Sequence, residues 1–204
     1  MGNPMKIHSH NYTVKINLIA PPFSLNSKQL RRITGRINKL RDNYDDFRAI
    51  CSCENGVLRY ESETLLPVKV DGSKQKILLV FGNPATQSVK NGMFFFSRAD
   101  GGRHSLWGKL AKAGLVYPIR KESRDEEADC RREMILQGAS SEKYLVGLTT
   151  YYSFPTPGSD KAQFSGVAGV ETLFEPCLDK ILEMETIRVL RYPFTDGAPP
   201  FLNS

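Results

Sequence analysis

The chain has no apolar run near the roughly 18 residues that a membrane-spanning helix needs, so no helical span is expected in its 204 residues. No apolar stretch follows Met1-Gly2-Asn3-Pro4-Met5-Lys6, as a secretory leader would require. Gly2 opens something similar to an N-myristoylation pattern, but Met5-Lys6-Ile7 supplies no Ser or Thr at the needed place. A cytoplasmic protein with no membrane partner is the expectation. Histidine is scarce, with only His8, His10 and His104. No acid–His–Ser order accompanies them, so triad hydrolysis has no support. Cysteine is limited to Cys51, Cys53, Cys130 and Cys177. A Cys-x-Cys pair with two distant single cysteines fits no zinc spacing, and reduced thiols are expected in the cytosol. Neither a metal nor a cofactor is expected. Internal repeats are also absent.

What is present is ordinary for a globular chain: 40% apolar and 25% charged residues, long enough for one domain with a core and too short for two comfortable ones. The net charge of +6 is compatible with a polyanionic partner, and equally with plain solubility. Tyr12, Val14, Ile16 and Leu18 alternate with polar residues as in a half-buried strand, ended by Pro21-Pro22. Asn26 or Ser27 can cap a helix running to about Phe47, with Leu30, Ile33, Ile37, Leu40, Tyr44 and Phe47 as its apolar stripe. Arg31, Arg32, Arg36, Lys39 and Arg41 on that helix read as a solvated face before a phosphate-facing one. Val57–Tyr60 and Leu65–Val70 look like short strands of a hairpin, and Asp71-Gly72 is a turn.

The continuous run Ile77-Leu78-Leu79-Val80-Phe81 reads as a strand buried on both faces, as in a parallel sheet. Helices are expected over His104–Leu115, with Trp107 in the core and Gly114 near the end, over Glu122–Gln137, stopped by Gly138, and over Val170–Glu185, interrupted near Pro176. Tyr144–Tyr152 and Ile187–Tyr192 read as strands. The alternation argues for an α/β domain spanning the whole chain, with residues 1–75 as an N-terminal strand, helix and hairpin and 76–192 as its core. Loops at the carboxyl ends of parallel strands line ligand crevices. A site is therefore expected where Gly82-Asn83-Pro84 meets Phe154-Pro155-Thr156-Pro157-Gly158-Ser159.

Three segments carry a resemblance: Phe81-Gly82-Asn83-Pro84-Ala85, Gly92-Met93-Phe94-Phe95, and Leu106-Trp107-Gly108-Lys109-Leu110 continuing to Gly114-Leu115. In order and spacing they resemble the first motif region of the uracil-DNA glycosylase superfamily, closest to its mismatch-specific (thymine/uracil) branch. Phe154-Pro155-Thr156-Pro157-Gly158-Ser159, with Phe164-Ser165-Gly166 downstream, is similar to its second motif. The resemblance spans Ile77 to Leu182. It implies an α/β three-layer sandwich with a central, largely parallel sheet, and a monomeric DNA glycosylase of base-excision repair acting on DNA with a damaged base.

By resemblance, Asn83 holds the attacking water and Pro84 fixes its loop beside Gly82. Phe95 stacks on the extruded base. Gly158 and Ser159 approach a phosphate, and Lys161 and Gln163 enter the duplex. Ser97, Arg98 and Arg103 lie nearest the DNA backbone. Some members carry a four-cysteine iron–sulfur cluster, but Cys177 lies beyond the second motif, so buried thiols are expected instead. The chain departs from the family in several places. The family glycine falls at Phe81, Phe94 replaces a proline, and Phe154 stands where His or Asn contacts the base carbonyl. Loss of such a donor typically costs two or more powers of ten in rate. Excision is then weak, is absent, uses another donor such as Tyr152 or Thr156, or is directed at another base such as a deaminated purine. The competing readings are a non-catalytic DNA- or nucleotide-binding member of the fold, and an interaction protein with no nucleic-acid role. In that last case Asn83 is a turn residue, Ser159-Asp160 a helix cap and His104 a helix start. Loops lying far apart, or Phe95 pointing into the core, would favour it.

Overall fold

The computed structural model describes residues 11–98, 101–158 and 162–190. Strands β1 (Asn11–Asn17), β2 (Cys51–Glu54) and β3 (Val57–Glu63) form an antiparallel sheet in the order β1-β3-β2. Strands β4 (Gln75–Phe81) and β5 (Tyr144–Thr150) pair in parallel, with Ile77 opposite Val146 and Phe81 opposite Thr150. Just past β3, Leu65 exchanges two 2.8 Å backbone hydrogen bonds with Leu148 on β5. The chain is thus mixed α/β with a small parallel sheet. The largely parallel central sheet expected from the sequence is corrected among the described residues: three of the five strands are antiparallel. The reason is connection length, since a two-residue turn can join only antiparallel neighbours.

That turn is Asn55-Gly56, with φ of 50° and 77°. Two consecutive positive φ values match the twist of a tight hairpin, and Asn-Gly supplies them at low cost. The hairpin therefore joins β2 to β3 and does not involve Leu65–Val70. That stretch forms no strand: Pro67 lacks an N–H for a ladder, and Val68 instead donates to the Leu136 carbonyl (2.8 Å).

Helix α1 (Ser27–Asn43) is capped by Asn26, whose side chain accepts from the N–H groups of Lys28 and Gln29 at 3.0 Å while Gln29 Oε1 accepts from the Asn26 N–H. Its buried stripe is Ile33, Ile37 and Leu40. The expected continuation to Phe47 breaks at Tyr44, which is extended (φ −138°), and α2 (Asp45–Ile50) restarts there, with Phe47 and Ile50 buried. Short α3 (Thr86–Lys90) follows β4; α4 (Ser105–Lys112) and α5 (Arg124–Leu136) lead to β5. Helix α6 (Gly166–Phe174), a single 3-10 turn (Glu175–Cys177) and α7 (Leu178–Leu190) complete the described chain. The predicted interruption at Pro176 is that 3-10 turn.

Two further expectations are corrected. Ile187 to Leu190 belong to α7, not to a strand, and Tyr192 lies outside the described residues. Helical spacing puts Ile181, Glu185 and Arg188 on one buried face, and this overrides the β-branched run. Strand β4 is not buried on both faces either; Val80 is 45% exposed. It has one partner strand among the described residues, β5, and β5 takes the enclosed position instead, with Leu145, Val146 and Leu148 fully buried.

Candidate functional site

Because β4 and β5 run in parallel, their carboxyl ends leave the sheet side by side. Pairing continues beyond the strands. Tyr152 donates to the Gly82 carbonyl (2.8 Å), Thr156 to the Pro84 carbonyl (3.0 Å), and Thr86 back to the Thr156 carbonyl (2.9 Å). The two loops are thus fastened to each other, as the strand order predicts. A crevice of about 410 Å³ opens beside them, lined by Asn83, Pro84, Thr156, Gly158 and the first turn of α6.

Thr156 organises this crevice. Its buried Oγ1 accepts from Asn83 Nδ2 (2.8 Å) and from the Gly166 N–H (3.0 Å). Asn83 Nδ2 also reaches the Pro84 carbonyl (3.2 Å). The amide is therefore held by its NH₂ end, and Asn83 Oδ1 has no hydrogen-bond partner among the described residues. Gly82 permits the close approach: a Cβ there would lie 2.5 Å from Val167 Cγ2 on α6. Helix α6 turns its amino end to the crevice, and the Ser165 side chain makes no capping bond there. That end carries partial positive charge. The far end of α6 is held by the basic face of α1. Arg36 donates to the Leu173 carbonyl (3.1 Å) and Arg32 pairs with Glu175 (2.8 Å). Part of that face is thus structural, a role its charge pattern alone did not reveal.

The other expected site residues divide sharply. Phe154 is corrected. Its ring is 1% exposed and packs edge-on against Tyr60 and Phe174, each with centroids 5.0 Å away. Burying an aromatic ring among aromatics favours the core over a polar pocket. Phe95 does not line the crevice. It is half-buried at φ 52°, with its ring 4.7 Å from Phe81 and 4.7 Å from His104. Trp107 fixes that segment by donating Nε1–H to the Phe94 and Phe95 carbonyls at 3.2 and 3.3 Å. Trp107 is otherwise core, as expected, with Arg131 over its ring at 4.9 Å.

Arg103 remains exposed at the surface, with its guanidinium engaged by neighbouring groups. It donates Nε–H to buried Glu127 (3.0 Å) and Nη2–H to the Lys121 carbonyl (2.8 Å). Burial pushes the Glu127 carboxyl up, but the bond from Arg103 and the charge of Arg131 outweigh it and hold the carboxyl below its ordinary range. The Ser97 hydroxyl is also turned inward, with Oγ buried and unbonded. Arg98 and Gln163 are exposed, and neither lines the crevice. Ser159 and Lys161 lie outside the described residues. Of the alternative donors, Tyr152 spends its hydroxyl on Glu171 (3.1 Å).

His104, treated by the sequence as a helix start, is that and more. Its Nδ1 accepts from the Leu106 N–H at 3.2 Å, capping α4. The neutral ring therefore carries its proton on Nε2. Burial, then the charges of Arg98 and Lys109, hold its pKa below the ordinary value. Cys51, Cys53 and Cys177 are buried thiols, and burial raises all three, Cys177 to about 11. Among the described residues no group of three or more His, Cys, Asp or Glu is placed to hold a metal ion. No helix there is long and apolar enough to cross a membrane. Compared with known proteins, the chain matches no family, no curated protein and no solved structure.

Proposed function

We propose that the chain is an N-glycosyl hydrolase of the uracil-DNA glycosylase type, acting on a deaminated base flipped out of DNA. The observation that carries this reading is the Asn83 amide, anchored through Nδ2 to Thr156 Oγ1 at 2.8 Å and free at Oδ1 beside a crevice at the strand ends. A neutral amide oxygen accepts a hydrogen bond from water and orients it without being a base. The water oxygen bonds to C1′ of the sugar as the C1′–N bond breaks. The electron pair of that bond leaves with the base. One water proton stays on the new C1′ hydroxyl, and the other passes through solvent to the departing base. Thr156 acts as the positioning residue for Asn83. The amino end of α6 favours a negatively charged ligand at the crevice.

The test is base release from single- and double-stranded oligonucleotides carrying uracil or hypoxanthine, read as alkali-labile strands. Asn83→Ala should lower release on the order of 100-fold or more, with the melting temperature kept. No release from any deaminated base at high protein concentration removes the reading. The burial of Phe154 favours a second one, a member of the fold that binds DNA or a nucleotide without excision. In the same samples it shows as salt-dependent retention of DNA with intact bases.

A further inference from the structure

Strand β1 is an edge of its sheet, since the order is β1-β3-β2. The hairpin decides which of its backbone groups face outward. The two-residue turn at Asn55-Gly56 makes Glu54 and Val57 a hydrogen-bonded pair. Val57 thus turns its N–H and C=O to β2, and Leu58 turns its own to β1. Leu58 lies opposite Ile16, and Tyr60 opposite Val14. Ile16 and Val14 therefore bond to β3, and the intervening Lys15 and Thr13 direct their N–H and C=O groups away from the sheet. The Leu18 N–H, in step with Ile16, reaches the Gly56 carbonyl at 2.8 Å, as this alternation requires. The outward groups of Thr13 and Lys15 have no hydrogen-bond partner among the described residues. We infer that β1 is a docking edge for an extended, acidic peptide segment of another protein, which joins the sheet as a further strand in the groove between β1 and α7. The inference is independent of the glycosylase reading.

The groove has a volume of about 460 Å³ and shares no lining residue with the crevice beside Asn83. Val14, Pro22, Met184 and Ile187 give it apolar walls, and Ile187 is 45% exposed. A strand added to an open edge satisfies the outward backbone groups, and its alternate side chains set the choice of partner. Side chains turned toward Val14 and α7 are apolar by preference. Those on the opposite face fall beside Lys15. There the register sets Lys15 directly opposite Arg59, with Ser52 beyond it. Like charges directly opposite destabilise a strand pair, and neither cation forms a salt bridge among the described residues. Glu61, opposite Thr13, pairs with neither. On α7, by contrast, Lys180 is already matched by Glu183 at 3.6 Å. An acidic side chain next to Lys15 supplies the missing counter-charge. The chain's own residues 191–204 are the poorer occupant, because Pro193, Pro199 and Pro200 lack an N–H for a ladder and Asp196 is the single acid.

The probe is a synthetic heptapeptide of alternating Val and Glu, acetylated and amidated at its ends, with a Val and Lys counterpart as control. Amide hydrogen exchange and heteronuclear NMR of the full chain read the binding. In the chain alone the Thr13 and Lys15 amides should exchange fast. The Val and Glu peptide should shift both signals and slow their exchange, and the Val and Lys peptide should bind on the order of fivefold more weakly. Lys15→Glu, a change on an exposed face, should reverse that preference. Ile187→Asp, which places a charge in the apolar wall, should weaken both peptides. Signals unmoved at about 1 mM peptide overturn the proposal, as do shifts confined to other residues or equal binding of the two peptides. Slow exchange at Thr13 and Lys15 in the chain alone also overturns it. If ending the chain after Leu190 then releases these amides, the occupant is residues 191–204, and if dilution releases them it is a second copy of the chain.

Discussion

Glu63 is the residue where the fold and solution pH oppose each other most directly. It ends β3 with 3% exposure, and its Oε2 is buried without a hydrogen bond. Burial pushes its pKa well above the ordinary carboxylate value, and the charge of Arg132 only partly opposes this. That guanidinium is committed to the Gly92 carbonyl (2.7 Å), the Asn91 carbonyl (2.9 Å) and Asp129 (2.7 Å). The folded chain thus holds a proton that the unfolded chain loses near pH ~4.3. The stability tied to that proton is fully present below the unfolded pKa and is lost as pH rises toward the folded one. Urea unfolding at pH 5 and pH 8 should show the wild type losing stability across the interval. Glu63→Gln should flatten that loss and be roughly 1–3 kcal/mol more stable at pH 8. Equal pH slopes in both proteins would refute this account.

At the scale of elements, α7 and β5 are joined by a buried polar chain that no local pattern announces. Tyr60 donates to Ser153 Oγ (2.7 Å), Ser153 donates N–H to Glu185 Oε1 (2.6 Å), and Arg188 pairs with Glu185 Oε2 (2.6 Å). Arg188 also donates to the carbonyls of Thr150 and Tyr151, at the end of β5. Removing one partner strands the other charge in the interior. Arg188→Met should therefore cost roughly 3–5 kcal/mol, seen as a lowered urea midpoint. Arg188→Met with Glu185→Gln should recover part of it, and failure to recover would show that packing dominates over charge. Helix α6 depends on a different contact. A Cβ at Gly169 would lie 2.0 Å from the Phe164 carbonyl carbon. Gly169→Ala must displace the 162–166 loop and the amino end of α6 that lines the crevice. The expected outcome is a lower melting temperature and, on the proposed glycosylase function, loss of DNA or base binding. A variant with wild-type stability and binding would mean that the loop can move without consequence.

For the molecule as a whole, β5 is the seam: it pairs with β4 on one side and meets Leu65 on the other. The described residues form two buried clusters, one around α1 and Phe154 and the other around Trp107, which includes Leu148 of β5. The sequence by itself determined what depends on neighbours along the chain. A cap at Asn26 or Ser27 (the structure gives it to Asn26), Gly114 and Gly138 as stops, β4 and β5 as strands, and the meeting of the two Pro-containing loops were all legible, because caps, periodicity and strand order are local rules. The β2–β3 hairpin had a local signal in Asn55-Gly56 that the reading of Leu65–Val70 as its second strand passed over. What only the tertiary structure decided concerns side chains whose role depends on distant partners. Phe154 went to the core because Tyr60 and Phe174 wait there. Arg103 went to Glu127, and His104 came to lie against Phe95. A ring or a guanidinium is compatible with either surface or interior, and the free energy that chooses between them comes from contacts made by residues far away in the chain.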